Sequence, residues 1–382
     1  MRAPRPVPRR ALVAASVVLA GVALPTAARA APDAVASPTV AGPPALVAWT
    51  AGRSVSVAGP DGVGRRVVAR LARGHQADLT LSRDGRRLAI MTEESVKVAD
   101  LTAGGPLRTL ARGRNLSIPR WSPDGSRLLL VGGTVRLCDV AAQTPCRKVA
   151  SRAADEYGAT WSPDGTQFAY LRSSPLAEKT GSNVGDVVRQ DAAGKEHVLE
   201  RTVLRGARLT SPVSPVWTAR GLAWSAWTSQ WMDDRITRTA TRLLAPDGRV
   251  RTITAADRAG AALVPFTLVS DAPGGDLIGL QYRVTADDAI RSSTRVMRLS
   301  PSGVVRPWGA ELANADQAGS TGDEYLGALA DGRIAVARER TKDGRDTTSV
   351  HVVSPGGPLG PPLAAGSAVA VATAHPNEAI DF

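Results

Sequence analysis

The stretch Trp121–Gly125, WSPDG, decides the fold because it returns at a fixed spacing. Trp161–Gly165 repeats it letter for letter, and Leu81–Gly85, LSRDG, precedes it by the same interval. A short apolar run follows each of the three copies. A period of about 40 to 45 residues built from short strands is typical of the four-stranded blade of a β-propeller.

Each copy has the composition of a tight turn between two strands. Serine opens the turn, proline presets φ at the second position in two of the three copies, and the final glycine can take a positive φ. The tryptophan before the turn is expected to fill the wedge between neighbouring blades, because one blade cannot cover both of its faces alone. The residues assigned to this structural turn are Asp84, Gly85, Trp121, Pro123, Asp124, Gly125, Trp161, Pro163, Asp164 and Gly165.

The turn aspartates allow two interpretations, since a carboxylate can cap a turn or bind a metal ion. They occur once per blade and therefore fall in different sectors of the ring, which favours capping over a metal site.

The WSPDG motif followed by an aliphatic strand resembles the repeat of TolB and of the propeller in prolyl-oligopeptidase relatives. Degenerate copies follow at Trp217–Gly221 and Ala330–Gly332, so the resemblance covers residues 45–382 and is strongest over 75–172. It implies a TolB-like (WD-like) propeller. TolB carries an α/β domain before its propeller and the peptidases carry a hydrolase domain after theirs. Neither domain is expected here, so neither activity is carried over.

Seven short strands, each leading into a turn, mark the hairpins between the third and fourth strands of successive blades. They are Ser54–Val57, Val96–Val98, Val135–Cys138, Val187–Arg189, Arg242–Leu244, Val296–Leu299 and Val350–Val353. We therefore expect an all-β propeller of seven four-stranded blades, with six blades as the alternative. The first unit, Ala45–Leu71, lacks an inner strand. We expect the spare C-terminal strand, Ser367–Ala374, to supply it and so close the ring, which removes two sheet edges.

Residues 1–30 are expected to be a signal peptide, followed by a flexible linker at 31–44 and the propeller at 45–382. Four arginines precede an apolar run, Ala11–Leu24, and Ala28–Ala30 offers a cleavage site. An uncleaved anchor is the alternative, although this run is short for a bilayer span. Arg9 and Arg10 leave the choice between general and twin-arginine export open. The mature chain is expected to be a secreted or cell-envelope monomer without a transmembrane segment.

Basic residues outnumber acidic ones, 47 to 35. Five of the 47 lie in the leader, which holds no acidic residue, so the mature chain carries a net charge of +7. The remaining bases are scattered along the sequence without a run or stripe, and we therefore expect no nucleic-acid partner.

Two cysteines, Cys138 and Cys146, flank a predicted hairpin turn. In an exported protein this spacing predicts a disulfide across the outer strands of one blade, and two buried free thiols are the alternative. Zinc is disfavoured because the chain has no Cys-x-x-Cys and no nearby histidine pair.

The candidate binding residues come from the connections between second and third strands. These are expected to be long loops in four later blades, at Arg172–Gly185, Thr228–Thr239, Thr285–Thr294 and Arg338–Thr347. A rigid ring positions such loops for binding. The fifth-blade segment supplies the candidate ligand-binding residues Trp227, Trp231, Asp233, Asp234 and Arg235, which could hold a sugar ring or a peptide. Alternatively, Trp224 and Trp227 fill strand positions between blades.

These observations favour a non-catalytic binding module with a protein, peptide or glycan partner. No catalytic motif, cofactor fingerprint or metal-ligand spacing is present in the sequence. The alternative is a propeller enzyme of the lyase or glycosidase type, acting on a polysaccharide or peptide at the channel mouth. Its candidate groups would be Asp233, Asp234 and Glu339 with Arg235. A structural role in an export or sensing complex is a third possibility that the sequence does not separate from the first.

Overall fold

A computed structural model describes the chain from Leu46 to Val371. The predicted signal peptide and linker lie outside the described residues, as do the C-terminal residues 372–382. Shorter gaps in the description fall at 74–76, 114–115, 117–118, 132–133, 143, 152–158, 181–183, 192–193, 219, 231–235, 246, 258–262, 272–276, 285–290, 301–303, 314–320, 329–332, 343–344, 355–356, 359 and 366.

The first four blades have short strands. Blade 1 contains β1 (Val47–Ala51), β2 (Ser54–Ala58) and β3 (Arg66–Arg70); blade 2 contains β4 (Asp78–Leu81), β5 (Arg87–Thr92), β6 (Ser95–Asp100) and β7 (Arg108–Arg112). Blade 3 contains β8 (Arg120–Trp121), β9 (Arg127–Val131), β10 (Thr134–Asp139) and β11 (Arg147–Ser151); blade 4 contains β12 (Thr160–Trp161), β13 (Phe168–Ser173), the helix α1 (Leu176–Thr180), β14 (Gly185–Gln190) and β15 (Glu196–Glu200).

The last three blades have longer strands. Blade 5 contains β16 (Val203–Arg205), β17 (Arg208–Thr218), β18 (Gly221–Gln230), β19 (Ile236–Leu244) and β20 (Val250–Asp257). Blade 6 contains β21 (Leu263–Asp271), β22 (Leu277–Val284), β23 (Arg291–Leu299) and β24 (Val305–Ala313); blade 7 contains β25 (Thr321–Ala328), β26 (Ile334–Lys342), β27 (Arg345–Val353) and β28 (Pro362–Ala365). The final strand, β29 (Ser367–Val371), completes blade 1.

The described strands form seven antiparallel sheets arranged in a ring, which confirms the seven-bladed propeller over the six-bladed alternative. All seven predicted third-strand segments lie in third strands, from β2 in blade 1 to β27 in blade 7. Blade 5 departs from the predicted four strands. There β16 pairs with the inner edge of β17 through Val203↔Thr210 and Arg205↔Arg208 and makes a fifth strand. A turn at Gly206, with a φ of +59°, allows this extra hairpin.

The ring is closed as the sequence predicted. Strand β29 pairs antiparallel with β1, through Val47↔Val371 and Ala48↔Ala370, and takes the innermost place in blade 1. Segments from the two ends of the described chain therefore share one sheet. This pairing covers an edge that the first blade would otherwise expose.

Hydrogen bonds from the repeated motif link blades 2, 3 and 4. The indole Nε1 of Trp121 donates to the Thr80 carbonyl at 3.0 Å, and that of Trp161 donates to the Arg120 carbonyl at 3.0 Å. Both tryptophans are almost fully buried. Each ring thus fills the space between two blades and also anchors the inner strand of the preceding blade.

The motif turns also contact one another around the ring. The Ser122 Oγ donates to Asp124 Oδ1 at 2.5 Å and accepts from the Arg127 backbone at 2.9 Å. The Arg127 guanidinium then reaches the Gly165 carbonyl of the next turn at 2.6 Å and lies over the Trp161 ring, 4.9 Å from its centroid. Each described turn aspartate accepts hydrogen bonds from its own turn.

The predicted disulfide is present in blade 3. Cys138 lies in the third strand, β10, and Cys146 immediately precedes the fourth strand, β11, with an S–S distance of 2.03 Å. The bond therefore joins the two outer strands of one blade across their turn.

The described residues include no helix with the length and apolar character needed to cross a membrane.

Candidate binding face

The antiparallel strand order gives the ring two distinct faces. The motif turns between first and second strands lie on one of them, together with the turns between third and fourth strands; we call this the turn face. The connections between second and third strands lie on the opposite side, together with the links from one blade to the next; we call this the hairpin face. Among the candidate residues predicted from the sequence, Trp227 is described and lies in β18 of blade 5, toward its hairpin-face end.

The hairpin face is uneven because strand length changes along the chain. Second and third strands have five or six residues in blades 1 to 4, but eight to ten in blades 5 to 7. The buried start of the second strand is shared by both groups, as at Leu88 and Leu222. The extra residues therefore extend toward the hairpin face, by roughly 10 Å at about 3.4 Å per residue.

The prediction of a long loop is therefore wrong for blade 7, and in blades 5 and 6 the strands extend into the predicted loops, whose middle residues, 231–235 and 285–290, lie outside the description. Pairing continues to Ser229↔Ile236 in blade 5, to Val284↔Arg291 in blade 6 and to Lys342↔Arg345 in blade 7. These segments are rich in threonine, serine and arginine, and their polarity suggested loops although alternating β-branched residues favour strands. In blade 4 the connection does leave the sheet and contains α1, a helix of five residues.

Trp224 and Trp227 lie on opposite sides of β18, since side chains alternate along a strand. Trp224 is fully buried and packs against Leu171 and Val187 of blade 4. Its Nε1 donates to the Glu200 carboxylate, which also pairs with the Arg242 guanidinium at 3.5 Å. Trp224 is therefore held between blades 4 and 5.

Trp227 occupies a different environment. It lies on the side of Ala223, which packs against Leu277 and Met297 of blade 6, but it is only half-buried. Its indole Nε1 is shielded from solvent and has no hydrogen-bond partner among the described residues. Trp227 is therefore partly exposed, while its indole N–H is buried and has no partner among the described residues.

The strand side that carries Trp227 becomes more polar toward the hairpin face. Near the turn face its cross-strand row is Val216, Ala223 and Leu243, which contributes to the core. The next cross-strand row on this side, adjacent to the row of Trp227, contains Ser225 and Thr241. Both are buried, and the Thr241 hydroxyl has no hydrogen-bond partner in the described part of the chain.

The row of Trp227 itself contains Ser211 and Thr239, so hydroxyl groups flank the indole on both neighbouring strands.

The extra strand β16 is attached to blade 4 by a buried carboxylate. The Thr202 backbone N–H donates to Asp186 Oδ1 at 2.9 Å, and the Thr202 hydroxyl donates to the Gly185 carbonyl at 2.8 Å. The guanidinium groups of Arg172 and Arg201 lie 3.6 Å and 3.5 Å from Asp186 Oδ2. This arrangement positions β16 at the inner edge of blade 5, and no motif in the sequence indicated it.

A second carboxylate belongs to the same network. Glu196 lies 3.4 Å from the Arg172 guanidinium and accepts a hydrogen bond from the Tyr170 hydroxyl at 2.5 Å. Burial, together with the hydrogen bond to this carboxylate, raises the pKa of Tyr170 far above its usual range. Since Arg172 pairs with both Asp186 and Glu196, the network links β13, β14 and β15 within blade 4.

The other predicted candidates are only partly described. Trp231, Asp233, Asp234 and Arg235 lie outside the described residues, between β18 and β19 in the sequence. Glu339 lies in β26, paired with Thr348, and the structure does not describe its side chain. In the described part of the chain, no three histidine, cysteine or acidic side chains are grouped as metal ligands would be.

Known structures share this architecture. The β-propeller domain of Cps50 (Swd1) from Myceliophteria thermophila is 18% identical and has a TM-score of 0.51, with 76% of this chain and 87% of that domain covered. A TolB structure from Agrobacterium tumefaciens is 18% identical, with a TM-score of 0.43 and coverage of 70% and 88%. Citrobacter koseri AztD is 9% identical, with a TM-score of 0.49 and coverage of 86% and 96%.

No protein-family model and no curated protein matches the sequence. At these identities the likeness concerns the fold alone, and in fold the chain is a β-propeller, as its repeat predicted.

Proposed function

We propose that the protein is an exported, non-catalytic binding module that presents the extended hairpins of blades 5 to 7 to a protein, peptide or glycan. The observation that carries this proposal is the change in strand length. Hairpins that continue about 10 Å beyond the common core add nothing to ring closure, and they supply a rigid surface on one sector of the hairpin face.

The chemistry around Trp227 suits a ligand with both apolar and polar groups. The partly exposed indole of Trp227 offers a flat apolar surface, and the half-buried Ser211 hydroxyl stands in the same cross-strand row. Sugar rings and peptide backbones both combine apolar faces with hydrogen-bonding groups. Trp231, Asp233, Asp234 and Arg235 would extend this surface at the end of the same hairpin.

Export is supported by the disulfide between Cys138 and Cys146, because such bonds persist in oxidising compartments. The leader predicted at residues 1–30 supports the same location. The proposal therefore places the partner at the cell surface or outside the cell.

The experiment is an affinity capture with the mature chain, residues 31–382, immobilised and exposed to a cell-envelope extract and to a glycan array. A W231A variant and a D233N/D234N variant are compared with the native sequence. We expect each to weaken binding about tenfold or more, as the loss of a central interface residue does.

The matched control is an E93A/E94A variant in the short β5–β6 turn, which removes two exposed carboxylates from the hairpin face of blade 2. Circular dichroism melts establish that all variants fold equally. If W231A and D233N/D234N keep every partner at native affinity, the hairpin of blade 5 is not part of the binding surface, and the role proposed for Trp231, Asp233 and Asp234 is overturned.

A further inference from the structure

A concentration of positive charge lies on the outer rim of blades 1 to 3, far from the hairpins of blades 5 to 7. The fourth strand of each blade is its outermost strand. In these three blades the fourth strands and the residues that flank them span 62–73, 101–113 and 140–151. Together these segments contain eight basic residues and no acidic residue, and one exposed aspartate directly precedes each of them: Asp61, Asp100 and Asp139.

Some of these bases are used by the fold. The Arg66 guanidinium donates to the Leu101 carbonyl at 2.5 Å, and that of Arg108 donates to the Ala142 carbonyl at 3.0 Å, so each links its blade to the next. Arg65 lies over the Trp49 ring, 5.2 Å from its centroid.

The other five basic side chains are exposed, and none of them forms an ion pair with a carboxylate among the described residues. They are Arg70, Arg73, Arg112, Arg147 and Lys148.

Protection of sheet edges alone does not account for this charge. Charged residues on outer strands discourage edge-to-edge pairing, and any charge would serve. Yet the outer strand of blade 4 carries Glu196 and Glu200, and that of blade 7, β28, carries no charge at all. The eight rim bases exceed the net charge of +7 on the mature chain, so the remainder of the molecule is close to neutral.

We propose that the outer rim of blades 1 to 3 binds a linear anionic polymer. Four of the five free groups are arginines, whose planar guanidinium groups match phosphate, sulfate and carboxylate oxygens. The rim is convex, so a flexible chain can follow all three blades, whereas a flat bilayer would touch one at a time. The three rim segments contain no aromatic residue, and so they lack the stacking platforms typical of proteins that bind single-stranded nucleic acid.

The test measures binding of inorganic polyphosphate to the mature chain, by fluorescence anisotropy at several salt concentrations. The rim variant replaces Arg70, Arg73, Arg112 and Arg147 with glutamine. A matched variant replaces four exposed arginines elsewhere, Arg86, Arg205, Arg249 and Arg306, so both variants have the same net charge. Urea melts establish that both are folded.

We expect the rim variant to bind at least tenfold more weakly at about 0.1 M salt, and the matched variant to stay within about twofold of the native chain. The slope of log Kd against log salt should fall by roughly 0.7 for each rim charge removed. Equal losses in both variants, or no binding by the native chain, would overturn the proposal. So would rim-dependent binding to phosphatidylglycerol vesicles without polyphosphate binding. None of these outcomes depends on Trp231, so the two proposals fail independently.

Discussion

Blades 2 to 4 and blades 5 to 7 are stabilised by different sets of hydrogen bonds. In the first group, short strands are joined by a repeated turn whose tryptophan and arginine donate hydrogen bonds to the neighbouring blade. In the second group the motif has decayed and the strands are longer, so pairing within each blade is more extensive. A propeller thus tolerates loss of its repeat where its sheets gain backbone pairing, and the longer sheets are then available for recognition.

The largest expected difference concerns the glycine that ends the turn in each group. Gly221 has a φ of +126°, and a Cβ there would lie 2.2 Å from the Leu244 carbonyl oxygen. Gly125 has a φ of +66°, and the nearest atom to its Cβ would be Ser82 Cβ, at 3.4 Å. We expect G221A to lower the free energy of unfolding by about 4 kcal/mol or more, because the backbone must move.

We expect G125A to cost only about 1 to 2 kcal/mol, the strain of a left-handed conformation. Urea denaturation measures both values. Equal losses would mean that the turn of blade 5 is no more constrained than the motif turn.

A smaller effect is expected at the tryptophan that precedes the turn. Trp121 is fully buried and its Nε1 donates to Thr80, whereas Trp217 is half-buried and its Nε1 has no partner among the described residues. W121F should cost about 2 kcal/mol, since it removes ring volume and leaves the Thr80 carbonyl without its donor. W217F should cost less, below about 1 kcal/mol, because no such hydrogen bond is lost. A greater loss for W217F in chemical denaturation would contradict the difference drawn between the two groups.

The smallest effect is a dependence of stability on pH in the motif turns. Burial opposes ionisation of Asp124, but hydrogen bonds from Ser122 and Ser126 and the charge of Arg127 outweigh it and lower its pKa to about 2. A carboxyl whose pKa is lowered by folding stabilises the native state above its ordinary pKa, 3.8 for Asp124, and loses that contribution as the pH falls toward about 2. Because Asp124 is exposed, solvent screening limits the contribution to about 1 kcal/mol.

Thermal melts at pH values between about 5 and about 2, a range that brackets the two pKa values of Asp124, measure this contribution. The melting temperature should depend less on pH for D124N than for the native chain. The matched change in blade 5 is D247N. The pKa of Asp247 is also lowered, first by the Arg249 backbone hydrogen bond, but this carboxyl is fully exposed. If D247N flattens the pH dependence as much as D124N does, the turns of the two groups contribute alike.

How far the sequence predicts the site differs between the two groups for a physical reason. The hydrogen bonds of a turn are local, since Ser122 bonds both to Asp124 and to the Arg127 backbone within a single turn. The turns of blades 2 to 4 can therefore be predicted from the sequence. Whether a polar segment such as Arg338–Thr347 is a loop or a paired strand depends on partners that only the fold supplies. The segment proved to be a hairpin paired to its end, and the proposed binding surface is therefore a set of sheets instead of loops.

The sequence alone predicted the kind of ring, the disulfide and the closing strand, and it favoured seven blades over six, because each prediction rests on a short motif or on a strand left without a partner. Tertiary structure decided where charge collects and which aromatic rings stay accessible. Arg70, Arg112 and Arg147 belong to three different blades and look scattered along the chain. They share one rim because the repeat places the fourth strand of every blade at the same distance from the ring centre. This arrangement follows from the geometry of the ring and cannot be predicted from a local sequence pattern.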